Sequence, residues 1–364
     1  MNKTGVPPIE SSPQQDSQMP AHEINGDAAQ LVKLAVIIPT LNEEATISNV
    51  IQRIPREFET ITDVDVVVVD DGSTDDTVEL ARKAGAVIIR HLRNMGVGAA
   101  FQTGIETALK RGADLIVNMD ADGQFRPEDI PALIRPILEE GYGFVTCTRF
   151  ADPDKLPEMP RMKLWGNRMM CRLVGAITGG PRFTDVSCGF RAYARTTALR
   201  LNLFGAFTYT QESFIDLAAK KIPMTEISLV VRGQREHGQS RVASNLWRYG
   251  FRTLTIILRA LRDWRPLLFF GSIALTFLVL GLAQLSFVAC WWLATSQTSP
   301  WTSLITLGGI GGVMGIGFAV LALIADQIGR GRKIQEELLY HERRRYYAQQ
   351  SDRQSSESEE ITHC

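Results

Sequence analysis

The run Val-Val-Val-Val-Asp-Asp-Gly-Ser-Thr-Asp, residues 66–75, decides how this chain is read. Consecutive β-branched residues favour a strand. A run without polar alternation marks a strand buried on both faces, as in a parallel sheet covered by helices. A strand is therefore expected over residues 64–69, ending on two carboxylates and a turn glycine. Outward from it, residues 34–39 form a second apolar run closed by Pro39, with Thr40 and Asn42 able to cap the next helix. Ile47, Val50, Ile51 and Ile54 then recur at helical spacing up to Pro55. Downstream, helices are expected over 74–84, 97–110 and 127–140, and strands over 86–89, 115–119 and 144–147. Further on come a helix over 162–177, a helix over 209–220 and a strand over 225–231. Strands alternating with helices imply an α/β fold with a mostly parallel sheet. Such sheets bind ligands beyond the carboxyl ends of their strands. Polar residues gather there after Pro39, at Asp70 and at Asp120.

Residues 1–30 are rich in Pro, Ser, Gln and Asp and lack an apolar run, so they read as a disordered tail and not a signal peptide. The chain has 364 residues and a formal net charge of -1, and no basic excess points to nucleic acid. Its five cysteines, Cys147, Cys171, Cys188, Cys290 and Cys364, are odd in number and contain no C-x-x-C, which argues against a disulfide framework or a zinc site. Cys188 reads as a small buried residue.

The character changes after Gly238. Leu246, Tyr249, Phe251, Leu254, Ile257, Leu258 and Leu261 alternate with Arg248, Arg252, Arg259, Arg262 and Arg265. A basic amphipathic helix over 240–265 is expected to lie in a membrane interface. Residues 267–289 and 301–325 carry no Asp, Glu, Lys or Arg. Each is long enough for a bilayer core of ~30 Å, with Trp291, Trp292 and Trp301 at the turn between them as an aromatic belt. Basic residues precede the first span and follow the second, so both ends are expected in the cytoplasm. Gly308, Gly311, Gly312 and Gly315 make overlapping G-x-x-x-G spacings, which fit pairing within the hairpin or between subunits of a homo-oligomer. The expected organisation is a tail (1–30), a catalytic domain (31–239), the interfacial helix (240–265), a two-helix transmembrane hairpin (266–326) and a cytoplasmic C-terminal helix and tail (327–364).

The chemistry resides in the strand ends. Asp120 and Asp122, at i and i+2 after an apolar strand, can face one divalent cation and a nucleotide's ribose. A cation there would neutralise a diphosphate leaving group, and Mg²⁺ or Mn²⁺ suits such hard oxygen ligands. Asn42 and Ser73 read singly as helix caps and Gly72 as a turn residue. Three acidic strand ends in one parallel sheet exceed what capping requires.

The segments V-I-I-P-T-L-N-E-E (36–44), V-V-V-V-D-D-G-S-T-D (66–75), N-x-G-x-G-x-A (94–100), N-M-D-A-D-G-Q (118–124), T-R-F (148–150), D-V-S-C-G-F-R (185–191) and R-E-H-G-Q-S-R (235–241), in that order, resemble family-2 GT-A glycosyltransferases. The branch they resemble is that of dolichyl-phosphate mannose synthase and bacterial polyprenyl-phosphate glycosyltransferases. The resemblance implies a Rossmann-like GT-A domain and an inverting transfer from a nucleotide sugar to a lipid phosphate. By position it implies nucleotide contacts from Pro39, Leu41, Glu43, Val68, Asp70, Asp120, Ala121 and Gln124, and a metal held by Asp122 and Gln124. Arg149, Ser187, Arg191, Arg235 and Arg241 would handle phosphates. Asp122, Arg149, Asp185 and Arg235 are the candidate catalytic residues, with Asp185 the candidate base. Leu41 stands where relatives often carry an aromatic residue, and Arg241 where many carry Lys. An ionised lipid phosphate needs no strong base, but it needs cations to gather it and a bilayer to hold its tail. A processive polysaccharide synthase would carry Q-x-x-R-W and more spans, neither of which is present. A nucleotide-sugar-binding scaffold and a transferase acting on another acceptor are the remaining alternatives.

Overall fold

The computed structural model describes residues 32–150, 161–178, 183–203, 209–231, 262 and 265–362. The chain runs β1 (Val32–Thr40), α1 (Ile47–Gln52), β2 (Ile61–Asp70), α2 (Thr77–Lys83), β3 (Val87–Arg90), α3 (Val97–Lys110) and β4 (Leu115–Asn118). A 3-10 turn (Pro127–Asp129) leads into α4 (Ile130–Glu140), then β5 (Phe144–Thr148), α5 (Arg161–Thr178), β6 (Arg191–Ala194), α6 (Arg195–Arg200), α7 (Tyr209–Ala219) and β7 (Met224–Ser228). Two long helices follow, α8 (Pro266–Thr295) and α9 (Thr302–Thr362).

The seven strands form one sheet in the order β3-β2-β1-β4-β6-β5-β7. Every pairing is parallel except those of β6, which is antiparallel to both β4 and β5. The valine run behaves as its composition requires. Val67 and Val69 join Ala35 and Ile37 in a core with Phe101 and Ile105 of α3, Leu199 of α6 and Phe214 of α7. Val66 and Val68 join Leu34, Val36 and Ile38 on the other face, against Val50 and Ile51 of α1 and Leu133 and Ile134 of α4. Period-two alternation thus gives each face its own apolar set.

Three features differ from the sequence reading. Strand β6 and helix α6 had no separate signal in the sequence, where residues 150–195 read as less regular. Asn42 does not cap α1. Its backbone is left-handed at φ 54°, and α1 begins after Thr46 with no side-chain cap. The apolar run ends at Ala325, but no break separates it from the C-terminal helix, because α9 continues unbroken as a 61-residue helix. Tyr340 and Tyr347 of α9 are buried in the same core cluster as Ile37 and Val67, so this part of the segment set apart as 327–364 packs against the catalytic domain. The tail over 1–30 and the interfacial helix, apart from residues 262 and 265, lie outside the described residues.

Helices α8 and α9 are both long and apolar enough to cross a membrane. The glycines resolve which pairing they serve. A Cβ at Gly281 of α8 would lie 2.8 Å from the Gly308 carbonyl oxygen, one at Gly311 3.3 Å from Gly281 Cα, and one at Gly315 2.6 Å from Leu278. Gly308, Gly311 and Gly315 therefore let α8 and α9 approach backbone to backbone, while Gly309 and Gly312 meet nothing within 4 Å. Gly281→Leu should weaken the hairpin by about 1–3 kcal/mol through overpacking, read as a lower thermal midpoint in detergent. Gly312→Ala should leave that midpoint unchanged.

Candidate functional site

Strand register aligns the polar ends. Thr40 pairs with Asp70 across β1 and β2, and Ile37 with Asn118 across β1 and β4. The residues just beyond Pro39, Val69 and Asn118 therefore share the carboxyl edge of the sheet. Thr40 Oγ1 donates to Val69 O at 3.3 Å and Asp71 N to Thr40 O at 2.9 Å, so the first two ends are stitched together. Asn42 N donates to Ser73 Oγ, and Thr74 N to Asn42 Oδ1, each at 2.9 Å. These two residues cross-link loops and cap no helix. The Glu43 backbone is fixed by Thr77 Oγ1 at 2.8 Å. Pro39 is buried, and Leu41 and Glu43 are half-buried on this edge.

Asp70 and Asp71 divide their tasks. Both are buried. Asp70 Oδ1 accepts from Ser73 N at 2.9 Å, while Oδ2 lies 3.1 Å from Arg90 Nε without hydrogen-bond geometry. Asp71, read from sequence only as one of the two carboxylates at that strand end, accepts from Met95 N and Gly96 N at 2.8 Å each and lies 2.8 Å from His91 Nδ1. It clamps residues 91–96 onto the end of β2. Gly72, at φ +89°, makes the contact possible, since a Cβ there would lie 3.2 Å from Arg93 C and Asn94 N. Val68, expected to line the nucleobase side, is fully buried in the core, two register pairs behind the Thr40–Asp70 edge.

The Asp120-Ala121-Asp122 turn is held from two sides. Thr46 Oγ1 donates to Ala121 O at 2.7 Å, a buried tie with no counterpart in local sequence signals. Asp122 is buried, and its Oδ1 accepts from Gln124 N at 3.1 Å. Asn118 Nδ2 donates to Gly189 O at 2.6 Å and to Tyr209 OH at 3.2 Å. Burial pushes the Tyr209 phenol well above its usual range, and the nearby Asp120 charge adds to this. Because β6 runs antiparallel, with Asn118 opposite Arg191, the 185–190 loop returns over the end of β4. A Cβ at Gly189 would lie 3.0 Å from Asp120 Oδ2.

Asp120, Asp122 and the Gln124 amide offer oxygen donors only, the chemistry that Mg²⁺ or Mn²⁺ prefers. Among the described residues no group of three or more His, Cys, Asp or Glu could hold a metal. Asp120, Asp122 and Gln124 are the residues that would offer oxygen ligands to such a cation.

Arg149 and Asp185 form a side-on bidentate pair, Nε to Oδ2 at 2.6 Å and Nη2 to Oδ1 at 3.1 Å. Burial by itself would lower the arginine's pKa, but the Asp185 charge and hydrogen bonds outweigh it and raise it. Asp185 also accepts from Ser187 N at 3.0 Å. Asp185 is thus engaged at both oxygens and fully buried beside Arg149. Asn167 of α5 and Glu226 of β7, both unanticipated, hold the loop through Thr184: Asn167 Nδ2 donates to Thr184 O at 2.7 Å, and both Glu226 oxygens accept from Thr184 N. Ser187 Oγ donates to Asn167 Oδ1 at 3.4 Å.

Arg191, expected at a phosphate, is fully buried. It donates to the carbonyls of Val186, Cys188 and Thr210 and to Ser213 Oγ, and stacks over Phe144 and Phe214. Its role is to fold the loop beneath the site. Cys188, buried as expected, lies 3.0 Å from Cys147 Sγ. Arg235 and Arg241 lie outside the described residues.

The family described as Glycosyl transferase family 2 matches residues 35–199. The chain is similar to a UDP-N-acetylglucosamine–dolichyl-phosphate N-acetylglucosaminyltransferase of Methanococcus voltae, with 32% identity over 44% of this chain and 69% of that protein. It is similar to an undecaprenyl-phosphate 4-deoxy-4-formamido-L-arabinose transferase of Aeromonas hydrophila, with 31% identity over 57% of this chain and 62% of that protein. Among solved structures, it is similar to glucosyl-3-phosphoglycerate synthase from Mycobacterium tuberculosis in complex with Mn²⁺, UDP and glucosyl-3-phosphoglycerate, at 24% identity and TM-score 0.46 over 63% of this chain and 79% of that one.

The contact at position 189 gives a sharp test of the site. Gly189→Ala should displace the Asp120 carboxylate by a few tenths of an ångström and lower turnover about tenfold or more, with a nearly unchanged thermal midpoint. Full turnover in that variant would show that the Asp120 position does not matter.

Proposed function

The chain belongs to glycosyl transferase family 2, and from that premise we propose that it is an inverting enzyme moving a hexose from a nucleotide sugar to polyprenyl or dolichyl phosphate at the cytoplasmic membrane face. UDP-glucose, UDP-N-acetylglucosamine and GDP-mannose are the candidate donors. The observation that carries the reading is the meeting, on one sheet edge, of Asp70, Asp120 and Asp122 with the Arg149–Asp185 pair, in a chain that continues into two long apolar helices. Relatives named as dolichyl- and undecaprenyl-phosphate transferases support the lipid phosphate as acceptor class.

In this reading Pro39, Leu41 and Glu43, with Asp70, Asp120 and Ala121, receive the nucleoside. Asp122 and Gln124 would hold Mg²⁺ or Mn²⁺, which when bound neutralises charge on the departing nucleoside diphosphate. Arg149, held in one orientation by Asp185, presents its remaining guanidinium edge to acceptor phosphate, with Ser187 beside it and Arg235 and Arg241 contributing cations. A guanidinium suits phosphate through paired, directional N–H groups. The acceptor oxygen is already ionised and displaces the diphosphate from the sugar's anomeric carbon, so no protein base has to take a proton. The Gly308, Gly311 and Gly315 contacts lie inside the hairpin.

Detergent-purified protein, undecaprenyl phosphate, Mn²⁺ and a panel of radiolabelled nucleotide sugars provide the test. Label should enter the organic phase from one donor and vanish on removal of metal. Asp122→Ala should reduce it by about two orders of magnitude or more, a loss of some 3 kcal/mol in transition-state stabilisation. Label that stays with a water-soluble acceptor, or a polymeric product, would sink the proposal.

A further inference from the structure

Helix α9 does more than end the membrane hairpin. Its segment beyond the apolar run is built into the catalytic domain. Arg343 Nη1 donates to Leu201 O at 2.9 Å and to Asn202 Oδ1 at 3.0 Å, behind α6. Arg200 of α6 pairs with Glu337 at 3.1 Å and lies 4.0 Å over the Tyr340 ring. Tyr340 and Tyr347 are buried in the domain core. From the end of the charge-free run to this dock is about 16 Å of continuous helix.

The dock is coupled to the site by a rigid element. Lys220, just past the end of α7, donates to the Arg200 carbonyl and to Asp216, while Asp216 accepts from Asn202 N at 3.0 Å. At the other end of α7, about 16 Å away by helical rise, Tyr209 stacks on Phe101 at 4.4 Å and meets Asn118, two residues before Asp120. The path from the membrane hairpin to the acidic strand end thus runs through packed helices and buried hydrogen bonds.

We propose that the Glu336–Tyr347 segment of α9 is an acceptor-positioning strut: it sets the height of the Asp120–Asp122 strand end above the bilayer, and so directs transfer to phosphate carried on a membrane-embedded lipid. Arg343, Tyr340 and Arg200 are positioning residues in this scheme and touch no substrate. The inference rests on the lipid-phosphate reading above. It assigns acceptor choice to helix geometry in addition to phosphate-binding cations.

The test compares two acceptors in the full-length protein: a long-chain polyprenyl phosphate embedded in vesicles and a short-chain isoprenyl phosphate dissolved in water. A seven-residue helix-forming insert between Gly331 and Arg332 lengthens the strut by about 10 Å while turning the docking face by only about 20°. Arg343→Ala loosens the dock without changing its length. Both variants should lose about tenfold or more in kcat/KM for the embedded acceptor and keep wild-type kcat/KM for the soluble one. Equal loss on both acceptors, as expected if α9 merely supports the fold, overturns the strut, and so does loss on neither. Wild-type protein inactive on both acceptors overturns the lipid-phosphate reading and the strut with it.

Discussion

The antiparallel insertion of β6 between β4 and β5 is the constraint on which the site depends. It pairs Asn118 with Arg191 and so turns the 185–190 loop back over the end of β4. Reversing one strand in a parallel sheet needs a lock, and Arg191 supplies it with three carbonyls, one hydroxyl and two aromatic rings. A buried charge is costly to leave unpaired, and complete hydrogen bonding offsets that cost. Thr184, Asp185 and Ser187 then stand where Arg149 can be oriented, within reach of Asp120 through Gly189.

The acidic strand ends show how adjacent residues of one type take unlike tasks. Asp70 faces the sheet edge, while Asp71 spends its carboxylate on the backbone of residues 91–96 and on His91. Thr46 holds the Asp120–Asp122 turn through the Ala121 carbonyl, and Gly189 leaves room for the Asp120 carboxylate. Supporting contacts of this kind keep catalytic groups in place before substrate arrives, which is the condition for electrostatic stabilisation of a developing charge.

Helix α9 extends the same principle to the whole chain. Its apolar part is paired with α8 through glycine contacts, and its polar part enters the domain core through Tyr340 and Tyr347. One unbroken helix joins hairpin and domain without a flexible linker, so the orientation of one is tied to that of the other.

The sequence by itself determined most of the elements and the family. Continuous apolar runs located β1 to β5, turn and proline signals bounded α3 and α4, charge-free length marked the two long apolar helices, and motif order identified the family and the acidic strand ends. These properties are local, written in side-chain spacing along a few turns or a single strand. The tertiary structure decided what depended on partners far apart in the chain. Among these are the reversal of β6, the burial of Arg191, the Arg149–Asp185 pair, the clamp by Asp71 and the docking of α9. An arginine or aspartate reads the same in sequence whether it faces a phosphate or a buried carbonyl. Only the packing around it fixes which, because the cost of burying a charge is met by groups that the fold brings from elsewhere.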